Sequence, residues 1–114
     1  MSWKRKISRA GILGVGLCAC AALAAENHLV EQRDKNFYYK GAKIETLKIK
    51  PGDTIEFKNM DPYFHNVFSL SDVKTFDLGS YPKGQSKSVK FEKPGKIEIE
   101  CAIHPQMHMV VEVK

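Results

Sequence analysis

Ile97-Glu98-Ile99-Glu100-Cys101-Ala102-Ile103-His104-Pro105-Gln106-Met107 opens as a strand and closes as a run of metal donors. Apolar and charged side chains alternate from Ile97 to Cys101, the period of two that sends successive residues to opposite faces of a sheet. Cys101 shares parity with Ile97 and Ile99, so it is expected to face the core at the end of its strand, shielded from water and oxidants. His104 follows in a loop that Pro105 stiffens, and Met107 comes just before Val110-Val111-Glu112-Val113, where strand chemistry resumes. A short loop with both ends fixed by strands can converge three donors on one ion.

The same period recurs upstream. Leu47 and Ile49 alternate with Lys48 and Lys50, Ile55 and Phe57 with Glu56 and Lys58, and Val89 and Phe91 with Lys90. Lys50-Pro51-Gly52-Asp53 and Lys93-Pro94-Gly95-Lys96 each place Pro-Gly between such runs. Proline presets φ for the second position of a type II turn and glycine accepts the positive φ that follows, so both read as tight connections between neighbouring strands. Ser71 to Gly84 has no clear period and contains Gly79, Pro82 and Gly84, the composition of a long surface loop. These features predict an all-β fold, an antiparallel Greek-key β-sandwich of about seven strands, in one small domain spanning residues 25–114.

Residues 1–24 read as a secretory signal peptide. Lys4, Arg5, Lys6 and Arg9 form a basic segment, Ala10 to Leu23 is apolar and uncharged, and Ala22-Leu23-Ala24 is a small-x-small cleavage signal. The apolar run is short for a membrane span, so the exported protein is expected to have no stable membrane association and to be periplasmic. Leu17-Cys18-Ala19-Cys20 also loosely resembles a lipoprotein box, which would instead leave the protein lipid-anchored through Cys20.

Removing that segment changes what composition says. The full chain has 18 basic and 13 acidic residues; four basic and no acidic residues lie in residues 1–25, which leaves 14 against 13. A nearly neutral domain without a basic stripe excludes nucleic-acid binding. Cys18 and Cys20 leave with the signal, so Cys101 is the one remaining thiol and cannot form an internal disulfide. Metal ligation gives it a purpose. With His65, upstream in Asp61-Pro62-Tyr63-Phe64-His65-Asn66-Val67, the chain supplies one thiolate, two imidazoles and a thioether, the ligand set of a blue-copper electron-transfer site. Asn66 is placed to brace the cysteine loop from outside the ligand set, and Pro62, Tyr63 and Phe64 supply an apolar rim. His28, near the start of the exported chain, is expected to be solvated, and His108 to point away from Met107.

Catalytic motifs are absent: there is no phosphate loop, paired-carboxylate constellation or supported Ser-His-Asp order, so an enzyme is not expected. Three functions are compatible with the sequence. The first is a monomeric one-electron carrier between exported redox proteins, with donor and acceptor unspecified. The second is a copper-binding protein for storage or delivery. The third is an interaction sandwich without a metal, which the complete ligand set argues against.

Across nearly all of residues 25–114 the chain resembles the cupredoxins of the plastocyanin, pseudoazurin and amicyanin group. The resemblance rests on Asn59-x-Asp61, His65-Asn66-Val67, Lys93-Pro94-Gly95 and Cys101-x-x-His104-Pro105-x-Met107. It implies one copper ion, with His65, Cys101 and His104 as equatorial ligands and a methionine as the weak axial one. Plastocyanin-like and pseudoazurin-like loops place that methionine at Met109; the shorter amicyanin-like loop, with proline after the histidine, places it at Met107. The second choice also fits the start of the last strand, with Met109 as the alternative. The proline usual in the family stands as Ile103 here. Electrons are expected to pass through His104, which lies in the exposed loop, with Pro62, Phe64, Pro105 and Met107 as an apolar collar for brief docking with redox partners.

Overall fold

A computed structural model describes residues 24–114. The expected signal peptide, with Cys18 and Cys20, falls outside the described residues except for its last position. Ten strands follow: β1 (Asn27–Arg33), β2 (Asn36–Tyr39), β3 (Ala42–Lys43), β4 (Thr46–Ile49), β5 (Asp53–Asn59), β6 (His65–Ser69), β7 (Phe76–Tyr81), β8 (Ser86–Phe91), β9 (Gly95–Glu100) and β10 (His108–Val113). They form two five-stranded sheets, ordered β3-β2-β1-β5-β8 and β4-β10-β9-β6-β7. No helix occurs among the described residues.

The alternating runs became the inner faces. Ile55 and Phe57 of β5, Ile97 and Ile99 of β9, and Met109, Val111 and Val113 of β10 are buried between the sheets, while Glu56, Lys58, Lys96 and Glu98 stay on the outer side. Each fully buried Ile, Val or Phe contributes about 1.5–3 kcal/mol of apolar transfer, and the period-two pattern delivers all of them to one layer. Polar groups also cross that layer. The Tyr81 hydroxyl of β7 donates to Gln32 Oε1 of β1 at 2.6 Å, which ties the two sheets together.

Four sequence expectations need correction. The sandwich has ten strands rather than about seven, and it is not purely antiparallel: β1 runs parallel to β5 and β4 parallel to β10. Ser71–Gly84 is not one long loop, because it carries β7. The period is hidden there by a bulge between the Asn66–Ser80 and Phe68–Asp77 pairs, where Gly79 takes φ +75°. Strand β1 was masked by polar residues on its inner face, since His28, Val30 and Gln32 are buried while Leu29 is exposed.

The two Pro-Gly segments connect strands of different sheets rather than neighbours. The first leads from β4 in one sheet to β5 in the other, the second from β8 to β9. Gly52 has φ +97° and Asp53 N–H donates to Lys50 O at 3.0 Å, as a type II turn requires. Gly95 serves a different need. Its φ is +144°, and a Cβ there would lie 2.8 Å from Val73 Cγ2, so glycine permits close approach as well as the backbone bend.

Candidate metal centre

Two connections at one end of the sandwich build the site: residues 60–64 between β5 and β6, and residues 101–107 between β9 and β10. Asn59 shapes the first. It is fully buried, its Nδ2 donates to Tyr63 O (2.8 Å) and Tyr81 O (3.0 Å), and its Oδ1 accepts from Asp61 N (2.8 Å). A short polar side chain thus replaces the backbone partners that a five-residue bend would lack. The bend delivers His65 to the first position of β6, with no exposure to solvent.

Cys101 lies one residue beyond β9 and is 1% exposed. Asn66 Oδ1 accepts from Ala102 N at 2.7 Å, so the residue after His65 fixes the residue after Cys101. His104, half-buried, turns back toward both. Met107 N–H donates to His104 O at 2.9 Å, closing the loop immediately before β10.

His65, Cys101 and His104 offer ligand atoms that all lie within 4.8 Å of one another. The two Nδ1 atoms are 3.1 Å apart, and Cys101 Sγ is 3.8 Å from His65 Nδ1. Donors about 2.0–2.3 Å from one shared first-row ion leave separations of this size. The donor set fits copper: thiolate favours Cu(I), and imidazole suits both oxidation states. Burial, together with the neighbouring His65 and Lys35, pushes His104 below the ordinary histidine range, against an opposing effect of Asp61. A neutral ring is the form that binds metal.

The outer face of His65 is occupied as well. Its Nε2 lies 2.7 Å from Asp61 Oδ2, in a pair whose side chains are 0% and 5% exposed. Asp61 Oδ1 accepts from Asp34 N (2.7 Å) and Oδ2 from Lys35 N (3.1 Å). Burial alone would raise the Asp61 carboxyl, but the bonds from His65, Lys35 and Asp34 outweigh it and hold the group below its usual range. Tyr63 packs on both imidazoles, 5.3 Å from His65 and 5.0 Å from His104 between ring centroids. Lys35 Nζ lies 5.4 Å from the centre of the Tyr63 ring.

The apolar residues expected to form a rim differ in their exposure. Phe64 and Ile103 are 54% and 46% exposed, and Pro62 and Pro105 are exposed beside them. Met107 is fully buried and cannot contribute to an exposed collar; Met109 is equally buried, paired with Ile99 inside β10. His28 is not solvated. It is 9% exposed, with Nε2 at 3.0 Å from Asp53 Oδ2 and Nδ1 at 3.0 Å from the Tyr39 hydroxyl. His108 is exposed and meets Glu98 at 3.1 Å. The hydrogen-bonding roles of Asp61 and Asn59 escape a reading of residue pattern alone. The one signal in the sequence is an acid four residues before a candidate ligand, in a segment too short to leave that acid far away.

The profile of the copper binding proteins of the plastocyanin/azurin family matches residues 27–114. The chain belongs to that family. It is an amicyanin-like cupredoxin with one copper ion as its cofactor, and the three-donor cluster is the candidate site for it. The methylamine utilization protein MauL of Methylorubrum extorquens is 31% identical over 68 residues, 59% of this chain and 60% of that protein. The chain therefore spans somewhat under two thirds of that curated relative. Among solved structures, a Cu(I) amicyanin variant is 26% identical with TM-score 0.67, covering 82% of this chain and 89% of amicyanin. A copper-containing nitrite reductase from Thermus scotoductus is 24% identical with TM-score 0.68, over 77% of this chain and 22% of the reductase, a likeness of fold alone.

Proposed function

We propose that this cupredoxin is a type 1 copper protein that carries single electrons between exported redox proteins. The observation that carries the reading is the buried Cys101 held 3.8 Å from His65 Nδ1, with His104 Nδ1 3.1 Å from that same nitrogen, on loops anchored at both ends by strands. His65, Cys101 and His104 are the equatorial ligands in this reading. Met107 is the axial one, supported by its position at the loop's last residue, whereas Met109 already packs within β10. Copper bound there supplies a Cu(I)/Cu(II) couple. The chain supplies a frame that changes little between the two states, because Asn59, Asn66 and Asp61 fix the loops by hydrogen bonds independent of the ion. Four protein donors leave no coordination position for a substrate, which favours a carrier over an enzyme.

His104 is the least buried of the three donors, and the exposed Phe64, Ile103, Pro62 and Pro105 of the two loops offer apolar area suited to brief docking. A nearly neutral domain gives weak electrostatic steering, so partner association should depend little on salt. Export to the periplasm and action as a monomer belong to the same proposal. Voltammetry of the copper-loaded domain, run beside transfer of copper to a competing chelator, tests it. A fast reversible one-electron couple with slow loss of copper supports a carrier; rapid copper release with a sluggish couple supports storage or delivery instead.

A further inference from the structure

Asp61 makes more bonds than a capping role at a bend needs. One oxygen takes the Asp34 N–H, the other takes the Lys35 N–H and His65 Nε2, and its own N–H is held by Asn59 Oδ1. The carboxylate therefore cannot rotate away from the imidazole. Asp34 and Lys35 are the two central residues of the β1–β2 hairpin, since Arg33 pairs with Asn36, and both have positive φ, 49° and 59°. That two-residue turn strongly favours Asn-Gly; neither residue here is glycine, and the carboxylate ties down both of their N–H groups. A buried carboxylate without partners would be strongly destabilising, so the arrangement holds a fixed negative charge one imidazole ring from the metal position.

We propose that Asp61 is a positioning residue for the copper centre: it holds His65 as the Nε2–H tautomer, with Nδ1 directed at the ion, and its charge favours Cu(II) over Cu(I). A ring N–H bonded to a carboxylate makes the opposite nitrogen a more basic donor, and the state of higher positive charge gains more from both effects. The inference rests on the copper-carrier reading, and His65 links the two.

Asp61→Asn keeps the shape and removes the charge. Cu(II) affinity should fall about 10–100-fold and Cu(I) affinity by less, so the reduction potential rises by about 59 mV for each tenfold difference between the two losses. The same substitution made in an Asp34→Asn, Lys35→Gly background, which relaxes the turn, should give the same rise. An unchanged potential, or a rise that disappears in the relaxed-turn background, overturns the proposal, because the carboxylate would then act only through the hairpin. Should the wild-type protein take up no copper, the carrier reading fails separately. NMR of the metal-free protein still decides the positioning claim: His65 protonated at Nε2 supports it, and His65 protonated at Nδ1 contradicts it.

Discussion

Asp53→Asn should remove a defined part of the protein's acid sensitivity while leaving the copper centre untouched. Asp53 opens β5, whose other end is Asn59, so roughly 20 Å of strand separates it from the metal-binding loops. Its carboxylate, 4% exposed, meets His28 Nε2 at 3.0 Å and accepts Glu26 N at 2.9 Å and Lys50 N at 3.0 Å. His28 in turn meets the Tyr39 hydroxyl, and Lys48 and Lys114 line the adjoining hollow. Burial raises the Asp53 carboxyl, but these bonds outweigh it and bring it from 3.8 down to about 2. At 1.36 kcal/mol per pH unit the difference amounts to about 2 kcal/mol. Because the folded value lies below the unfolded one, this stability is present above about pH 4 and disappears as pH falls through about 2. Urea unfolding of the metal-free protein, followed by circular dichroism between about pH 6 and pH 2, should show the gap between wild type and Asp53→Asn narrowing by about 2 kcal/mol. Parallel stability curves would show that the network bears on the fold equally in both protonation states, against the bond geometry just described.

Met107→Leu should shift the reduction potential and the visible spectrum, whereas Met109→Leu should cost under about 1.5 kcal/mol of stability with the potential unmoved; voltammetry with chemical denaturation separates them, and the reverse pattern assigns Met109 as the axial ligand. Tyr81→Phe leaves Gln32 Oε1 buried without its 2.6 Å donor, and should lower stability by about 1–3 kcal/mol in urea titrations without changing the copper spectrum. Gly95→Ala should destabilise by about 1–3 kcal/mol, because the new methyl meets Val73 and the φ of +144° is unfavourable for alanine; Val73→Ala should recover only the steric part. Electron-transfer rates with a physiological partner, measured by stopped flow, should change little with ionic strength; a steep fall would place a charged patch at the docking surface.

Sequence pattern revealed the strands that carry consecutive apolar residues on their inner faces. Ile55-x-Phe57, Ile97-x-Ile99 and Val111-x-Val113 show the alternation plainly, and in β5 the buried polar residues Asp53 and Asn59 stand only at the two ends. It concealed β1, where His28 and Gln32 point inward, His28 against Asp53 and Gln32 Oε1 against the Tyr81 hydroxyl, from strands distant in sequence. Only tertiary partners make such burial tolerable, and no local pattern displays them. The bulge at Gly79 hid β7 by breaking the period. Cys101 and His104, which the fold brings together with His65, were legible because their spacing is local. Asp61 was not, since its role depends on the hairpin turn at Asp34 and Lys35 and on an imidazole orientation fixed only in the folded chain. Glycine positions showed the same division: Gly52 does what its turn motif announces, whereas Gly95 answers to Val73, twenty-two residues earlier.

The visible absorption spectrum of the copper-loaded domain, recorded beside Cys101→Ser, bears on everything above. A buried thiolate bound to Cu(II) with two imidazoles should give the intense charge-transfer colour of a blue-copper centre, and the serine variant should lose it while keeping the β-sheet circular dichroism of the wild type. A pale wild-type protein carrying one equivalent of Cu(II) would contradict the assignment of Cys101, His65 and His104 to the metal.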